Sequence, residues 1–250
     1  MPDVFNIYSS YYDLLYKDKD YEQEVDYILD LINRYQDHTT NIIEFGSGTG
    51  KHASILASKG FDVVGIEPSE EMIKIANAKS KSNLSFVQSS IESYNGLKHF
   101  DVAISLFHVM SYLTTNEDLK KAFANVNNSL KTGGIFIFDI WYSPAVLTQL
   151  PEKRTKSIEN EVIKVLRHAT PEIHWNSNVI DVNYHIEVLD KMTNTSTYFD
   201  EIHKMRHFSI PEIKLLADVS GFKVVANHEF LTAKQPGADT WGVCFVLQKI

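Results

Sequence analysis

Residues 42–52 read IIEFGSGTGKH, an apolar run that meets a carboxylate, Glu44, and then Gly46, Gly48 and Gly50 at alternate positions. Glycine permits backbone conformations and close approaches that a Cβ forbids, so this loop suits a ligand lying against main chain. A P-loop would need Gly-x-x-x-x-Gly-Lys-Ser/Thr, but Phe45 holds the first glycine position and His52 replaces the magnesium-binding hydroxyl. A dinucleotide fingerprint, Gly-x-Gly-x-x-Gly, would place Lys51 where its third glycine packs helix on strand. The pattern that remains, Glu44-x-Gly-x-Gly-x-Gly, fits an adenosyl ligand without a pyrophosphate, with Glu44 supplying charge near an ammonium. A plain strand-to-helix turn is the alternative.

A second carboxylate sharpens the choice. Glu67 closes the apolar run FDVVGIE, where an acid in an alternating strand–helix chain can accept both ribose hydroxyls. Pro68 follows it, and the next helical stretch presents Met72 for packing on an adenine face. Farther along, LFHVMSYL places a histidine and a tyrosine, His108 and Tyr112, after another apolar run. Trp141 and Tyr142 follow a later strand and could stack on a sugar or base face, or simply pack in the core. Tyr8, Tyr11, Tyr12 and Tyr16 cluster near the N-terminus as either a lid or a hydrophobic staple.

Elements must bring these residues together. Val25, Ile28, Leu29 and Ile32 recur at helical spacing in YEQEVDYILDLINRY. Short apolar runs NIIEF, FDVVGIE, LSFVQ, FDVAISLF and IFIFDI read as strands. Between them lie helices over HASILASKG, SEEMIKIANAKSK with Ser69 as N-cap, and NEDLKKAFANVNNSLKTGG ended by Gly133 and Gly134. The alternation predicts an α/β fold, a doubly wound Rossmann-like sheet whose ligand crevice lies beyond the strands' carboxyl ends. The glycine loop, Glu67, Ser90 and LFHVMSYL all fall there.

After Pro144 the rhythm changes. IENEVIKVLRHA, SNVIDVNYHIEVLD and TSTYFDEIHKMRHF read as three extended segments of an inserted antiparallel sub-sheet. The helix SIPEIKLLADVSG and the strands FKVVANHEFL and TWGVCFVLQK then return to the main sheet. The expected organisation is an N-terminal helical lid over 1–40, a ligand-binding domain over 41–144 and 209–250, and the insert over 145–208. The insert serves as a substrate cap or a dimer contact. Its histidines, His168, His174, His185, His203 and His207, show no compact metal-ligand spacing, so no metal is expected. His203 is a satisfied or solvent-facing histidine or else an acceptor-site residue; EKRTK at 152–156 reads as a solvated loop, with phosphate capture from a nucleotide sugar as the alternative.

The totals bound the classes. The chain has 250 residues, 44% of them apolar and 22% charged, as in an ordinary globular domain. A net charge of −8 argues against a broad phosphate-tracking surface, and so against nucleic acid. A single cysteine, Cys244, allows no internal disulfide and fits a reducing compartment. The start, MPDVFNIYSSYYDLLYK, lacks the pattern of a signal peptide, and no apolar run is long enough to span a membrane. A cytoplasmic protein with no membrane partner is the expectation.

Strand, glycine turn and second-strand acid together resemble the class I S-adenosylmethionine-dependent methyltransferases, over residues 41–140 and again in the last two strands. The resemblance implies S-adenosyl-L-methionine as donor and S-adenosyl-L-homocysteine as product. It assigns Glu44, Gly46, Ser47, Gly48 and Gly50 to the methionine and adenosine portions, and Glu67, with Pro68 and Met72, to the ribose side. Ser90, where the family often has Asp, and Ile91 fall at the adenine, with Leu106 also lining the donor. The segment after the fourth strand lacks the Asp/Asn/Ser-Pro-Pro-Tyr/Phe motif of base-methylating relatives, which points to a small-molecule acceptor.

Nearly the whole chain is similar to the nucleotide-linked amino-sugar N-methyltransferases, which dimethylate the amine of TDP-deoxysugars. YDLLY…KDYEQEV, LFHVMSYL, DIWYSP, LRHA…YFDEIHKMRHFS and WGVCFV carry the likeness. It implies that Tyr12 closes over the donor. Tyr112 stands where that family has a histidine beside the acceptor amine, with His108 one helical turn earlier as a substitute. Trp241 replaces an arginine. Trp141, Tyr142, His203 and Trp241 would then meet the acceptor, most simply an amino sugar. Methylation of another small metabolite on N or O stays open, as does a donor-binding sensor or subunit without catalysis. A dinucleotide oxidoreductase is disfavoured by the missing third glycine.

Overall fold

The computed structural model describes residues 8–96 and 99–250, with backbone alone for residues 8–10 and 13. The side chain of Tyr8, the first of the four clustered tyrosines, therefore lies outside the described residues.

Two helices lead in, α1 (Tyr8–Leu15) and α2 (Tyr21–Tyr35). The first half of the sheet then alternates: β1 (Asn41–Phe45), α3 (Lys51–Ser58), β2 (Asp62–Glu67), α4 (Glu70–Asn77), β3 (Leu84–Gln88) and β4 (Phe100–Ser105). A 3₁₀ turn over Val109–Tyr112 leads to α5 (Asn116–Ser129), β5 (Leu130–Tyr142) and α6 (Ser143–Thr148). Four long strands follow, β6 (Arg154–Glu159), β7 (Ile163–His174), β8 (Val179–Asp190) and β9 (Thr195–Phe208). The chain ends with α7 (Ile210–Val219), β10 (Phe222–Glu229) and β11 (Gly242–Lys249).

β3, β2, β1, β4 and β5 pair side by side in parallel, and antiparallel β11 and β10 extend the far edge. The order reverses between β1 and β4, which opens a crevice at their carboxyl ends. Alternating residues serve two helical layers. Ile135 and Ile137 of β5 face the α2–α3 side with Ile28 and Leu56, whereas Phe136 and Phe138 face the α5–α7 side with Phe123 and Phe222. Such two-sided burial explains why these strands read as continuous apolar runs.

The insert is continuous with this sheet. β4 ends its pairing at Phe138, and beyond it Trp141 and Tyr142 pair in parallel with His207 and Phe208 of β9. β9, β8, β7 and β6 then form an antiparallel ladder that rises over the carboxyl-end crevice. Along β9, Glu201, His203, Met205 and His207 are buried at every second position, so one face of the insert looks inward.

Three expectations need correction. The insert has four strands rather than three, because Asn160 caps a turn through bonds from the Val162 and Ile163 N–H groups and splits the first segment in two. Arg154–Lys156 of the EKRTK run are not loop but the start of β6. The helix expected to end at Gly133 stops at Ser129, and Leu130 already pairs with Phe100.

Candidate active site

The glycine loop is held open by its neighbours. Glu67, 4% exposed, accepts hydrogen bonds from Gly48 N at Oε2 and from Ser69 N at Oε1, each at 2.9 Å. The carboxylate at the end of β2 is thus aimed at the loop after β1. Burial pushes its pKa up; the two backbone N–H groups pull it down, Glu44 pushes it up again, and it settles at about 7. Gly48, at φ +54°, has only Met72 Sδ within reach of an added Cβ, at 3.8 Å, on the cavity side. The loop, Glu67, Met72, Ser90, Ile91 and Leu106 line one end of a cavity of about 220 Å³. Ser47 Oγ is buried there without a hydrogen-bond partner. A bare backbone, a fixed carboxylate, apolar walls and an unsatisfied hydroxyl fit an adenosyl group.

Beneath the loop lies a charge cluster. His52 of α3 lines the cavity, with Nε2 2.7 Å from Glu24 Oε2 and Nδ1 3.4 Å from Glu44 Oε1. Lys19 also pairs with Glu24. Burial alone would depress the imidazole pKa, but the bonds to Glu24 and Glu44 outweigh it and raise it.

At the end of β4 the chain turns sharply: Phe107 and His108 both take left-handed conformations, with φ of 67° and 62°. Non-glycine residues in this region are strained by roughly 1–2 kcal/mol each, so neighbouring contacts must hold them. Asp139 of β5 does so. Its Oδ1 accepts from His108 N at 3.0 Å, and its Oδ2 lies 2.7 Å from His108 Nδ1, off the hydrogen-bonding axis of that nitrogen. Burial would raise the Asp139 pKa, but the His108 ring and backbone N–H more than offset that and lower it.

The opposite end of the cavity is aromatic. Trp141, Tyr112 and Tyr184 line it with Val182, Met205 and His203. Tyr112 Oη is 2.7 Å from His203 Nδ1, His203 Nε2 is 3.4 Å from Glu201 Oε2, and Tyr11 of α1 donates to the same Glu201 oxygen at 3.3 Å. Helix α1 reaches this point by burying Tyr11 and Leu15 against Val165, Ile186 and Met72. Lys156 Nζ of β6 donates to Leu15 O at 2.8 Å, fastening the end of α1 to the insert.

Most of the residues singled out in the sequence meet at this cavity. Tyr12, Gly46, Ser47, Gly48, Glu67, Pro68, Met72, Ser90, Ile91, Leu106, His108, Tyr112, Trp141 and His203 all line it. Four do not. Glu44 is turned beneath the loop onto His52. Gly50, at φ +78°, presses against β3, where an added Cβ would fall 2.5 Å from Phe86 Cζ. Tyr142 packs into the core on the α5–α7 side. Trp241 stands behind Trp141, ring centroids 6.0 Å apart and edge-on, and donates from Nε1 to Gln149 Oε1. Sequence reasoning missed His52, Asp139 and Glu201. Asp139 was visible as a lone carboxylate in the apolar run IFIFDI, and Glu201 as the residue two before His203 on the same strand face. Nothing local marks His52. Among the described residues no group of three or more His, Cys, Asp or Glu is placed to hold a metal ion, and no helix is long and apolar enough to cross a membrane.

Residues 42–134, which carry the glycine loop, Glu67 and the 3₁₀ turn, match the family described as Methyltransferase domain. YqeM of Bacillus subtilis (strain 168), a methyltransferase by name, is 27% identical over 98% of this chain and 97% of its own. The dTDP-3-amino-3,4,6-trideoxy-alpha-D-glucopyranose N,N-dimethyltransferase of Streptomyces venezuelae is 24% identical over 85% of this chain and 89% of its own. Among solved structures, an S-adenosylmethionine-dependent methyltransferase from Clostridium acetobutylicum ATCC 824 superposes with a TM-score of 0.82 at 21% identity, covering 98% of both chains.

Proposed function

We propose that the chain is an S-adenosylmethionine-dependent methyltransferase that acts on the amine of a small acceptor, an amino sugar; its fold and its match to a methyltransferase domain over residues 42–134 support the first half of that reading. The observation that carries the reading is the cavity itself, which joins the donor end at Glu67 to an aromatic acceptor end under the insert. Support for a sugar amine comes from the Streptomyces venezuelae relative, whose name specifies N,N-dimethylation of an amino sugar.

When bound, the donor supplies a methyl on a sulfonium, a good leaving group, and the N–C bond forms as the C–S bond breaks with its electron pair left on sulfur. What the chain contributes is placement, which can account for several kcal/mol of a two-reactant barrier. Glu67 would accept from ribose hydroxyls, Gly46, Ser47 and Gly48 would border the amino-acid portion, and Met72, Ile91 and Leu106 would enclose the adenine beside Ser90 and Pro68. Tyr12, on α1, closes that end. Glu44 acts from below by fixing His52. Trp141 offers a face to a sugar ring, backed by Trp241. His108, locked by Asp139, and Tyr112 flank the acceptor nitrogen. Nitrogen must be neutral to attack and carries a surplus proton afterwards, so one flanking group must receive that proton.

The test is turnover on a panel of free and dTDP-linked amino sugars, with S-adenosylhomocysteine release as the readout. Tyr112→Phe and His108→Ala should each cut turnover at least tenfold while leaving S-adenosylhomocysteine affinity within about twofold. Unchanged turnover in both would remove these two residues from the acceptor site.

A further inference from the structure

Two groups at the acceptor end could receive the proton, and their surroundings differ. His108 touches Asp139 at 2.7 Å but off axis, a contact that holds the turn after β4 and leads no farther into the insert. Tyr112, by contrast, stands at the head of an ordered file. Its hydroxyl meets His203 Nδ1 at 2.7 Å, and the other ring nitrogen faces Glu201 Oε2 at 3.4 Å. His203 and Glu201 are 4% and 7% exposed and lie on one face of β9. The file therefore runs from the cavity wall into the body of the insert.

We infer that the acceptor's surplus proton leaves through Tyr112 to His203, with Glu201 as the buried carboxylate that fixes the His203 tautomer and faces the imidazolium that forms. The inference rests on the methyl-transfer reading and names residues that reading leaves unassigned. The proton count closes without another reactant. Glu201 accepts from His203 Nε2–H, which leaves Nδ1 with a lone pair toward the Tyr112 hydroxyl. Tyr112 passes its own proton to Nδ1 as it takes one from the acceptor nitrogen, ending neutral, with an imidazolium beside a carboxylate. A tyrosinate is not the intermediate: burial and neighbouring phenols raise the Tyr112 pKa well above its ordinary value. The role of Glu201 parallels that of the aspartate in a Ser-His-Asp triad, which fixes the tautomer and stabilises the imidazolium. His203 and Glu201 are positioning residues here, since both act through Tyr112.

The charged and titratable groups around the file come from every element packed on it. Tyr184 of β8 meets the His203 ring edge-on at 5.0 Å, and Arg167 of β7 stacks over Tyr184 at 4.4 Å. From α1, Tyr11 donates to Glu201. Tyr16, also near the N-terminus, adds to the field that raises the Tyr112 pKa. Tyr11 is the link to the lid helix: only with α1 seated is the carboxylate held in place by its hydroxyl.

The experiment is a ¹⁵N–¹H histidine ring titration of the protein saturated with S-adenosylhomocysteine, which needs no acceptor. His203 should be neutral at pH 8 and protonated at Nε2, and Glu201→Gln should lower the pH at which it takes its second proton by about one unit. An Nδ1-protonated ring in the unmodified protein overturns the inference even if the variant does not fold, and so does a midpoint unmoved by Glu201→Gln. On an accepted amine, Glu201→Gln should slow turnover on the order of tenfold and move the acid limb of the pH profile to lower pH. It should add nothing to Tyr112→Phe, because both act on one path. Losses that multiply in the double variant would contradict the file. Failure to bind S-adenosylhomocysteine would instead count against the methyl-transfer reading itself, so the two failures are separable.

Discussion

At the scale of single residues, the site is organised by buried charges given specific partners. Glu67 is the clearest. Its carboxyl titrates near 7 instead of 4.5 because burial outweighs the two N–H groups that it accepts. A carboxyl raised in the folded state binds its proton more tightly there than in the unfolded chain, so stability falls as pH climbs from about 4.5 to about 7. On the proposed reading ribose hydroxyls would donate to the ionised form, so S-adenosylhomocysteine affinity should rise from pH 6 to pH 8. Calorimetry at several pH values checks this, and Glu67→Gln should flatten the curve and weaken binding at pH 8 by tenfold or more, for the loss of a charged acceptor. His52 carries the same sign for a different reason, ion pairing instead of burial. Its pKa is raised, so its pairing with Glu24 and Glu44 stabilises the fold below the ordinary imidazole range and is lost as pH rises through the raised value. His52→Gln should therefore lower the melting temperature more at pH 6 than at pH 9. Glu67 was legible in the sequence because its type and its place at a strand end imply one task. His52 was not, since its partners come from Glu24 on α2 and Glu44 on β1, and no spacing in the chain announces that meeting.

Elements show how two residues of one type can do different work. Gly48 and Gly50 look alike in the motif, yet one borders the cavity and the other packs α3 onto β3. Gly48→Ala would place a methyl on the cavity side, in a left-handed conformation that disfavours it by roughly 1 kcal/mol. S-adenosylhomocysteine binding should weaken at least tenfold with modest loss of stability. Gly50→Ala would meet Phe86 at 2.5 Å and should destabilise the protein by about 1–3 kcal/mol, read from urea unfolding, with affinity kept in the fraction that folds. Equal effects on affinity would contradict this division. The alternation of strands and helices was readable because the central strands β1, β4 and β5 are buried on both faces. The extra strand β6 escaped notice because Arg154–Ile158 is mostly polar and lies at an exposed edge, where period-two burial has little to act on. The helix-to-strand change at Leu130 was hidden by Gly133 and Gly134, which look like a helix stop but sit inside β5.

Over the whole molecule, one continuous sheet serves two tasks. Its parallel half ends in the glycine loop, and its antiparallel half, joined to it through Trp141 and Tyr142, forms the roof of the cavity's aromatic end. Helix α1 spans both, contacting Met72 beside the loop and Val165 and Ile186 in the insert. If α1 is a lid, S-adenosylhomocysteine should slow amide exchange in residues 8–15 as well as in the glycine loop. Protection confined to the loop would make α1 a fixed wall. The core of this arrangement could be read from sequence because the donor motif is local. The roof was harder, since it depends on β5 outrunning β4 and so offering an edge to β9, which only the register shows. The central claim is that the bare loop and Glu67 share one hollow shaped for an adenosyl sulfonium. Isothermal titration of the purified chain with S-adenosylhomocysteine at pH 8 tests it most directly: one equivalent should bind with micromolar affinity in the unmodified protein and at least tenfold more weakly in Glu67→Gln, whereas no binding at millimolar ligand, or equal binding in both, would contradict the account.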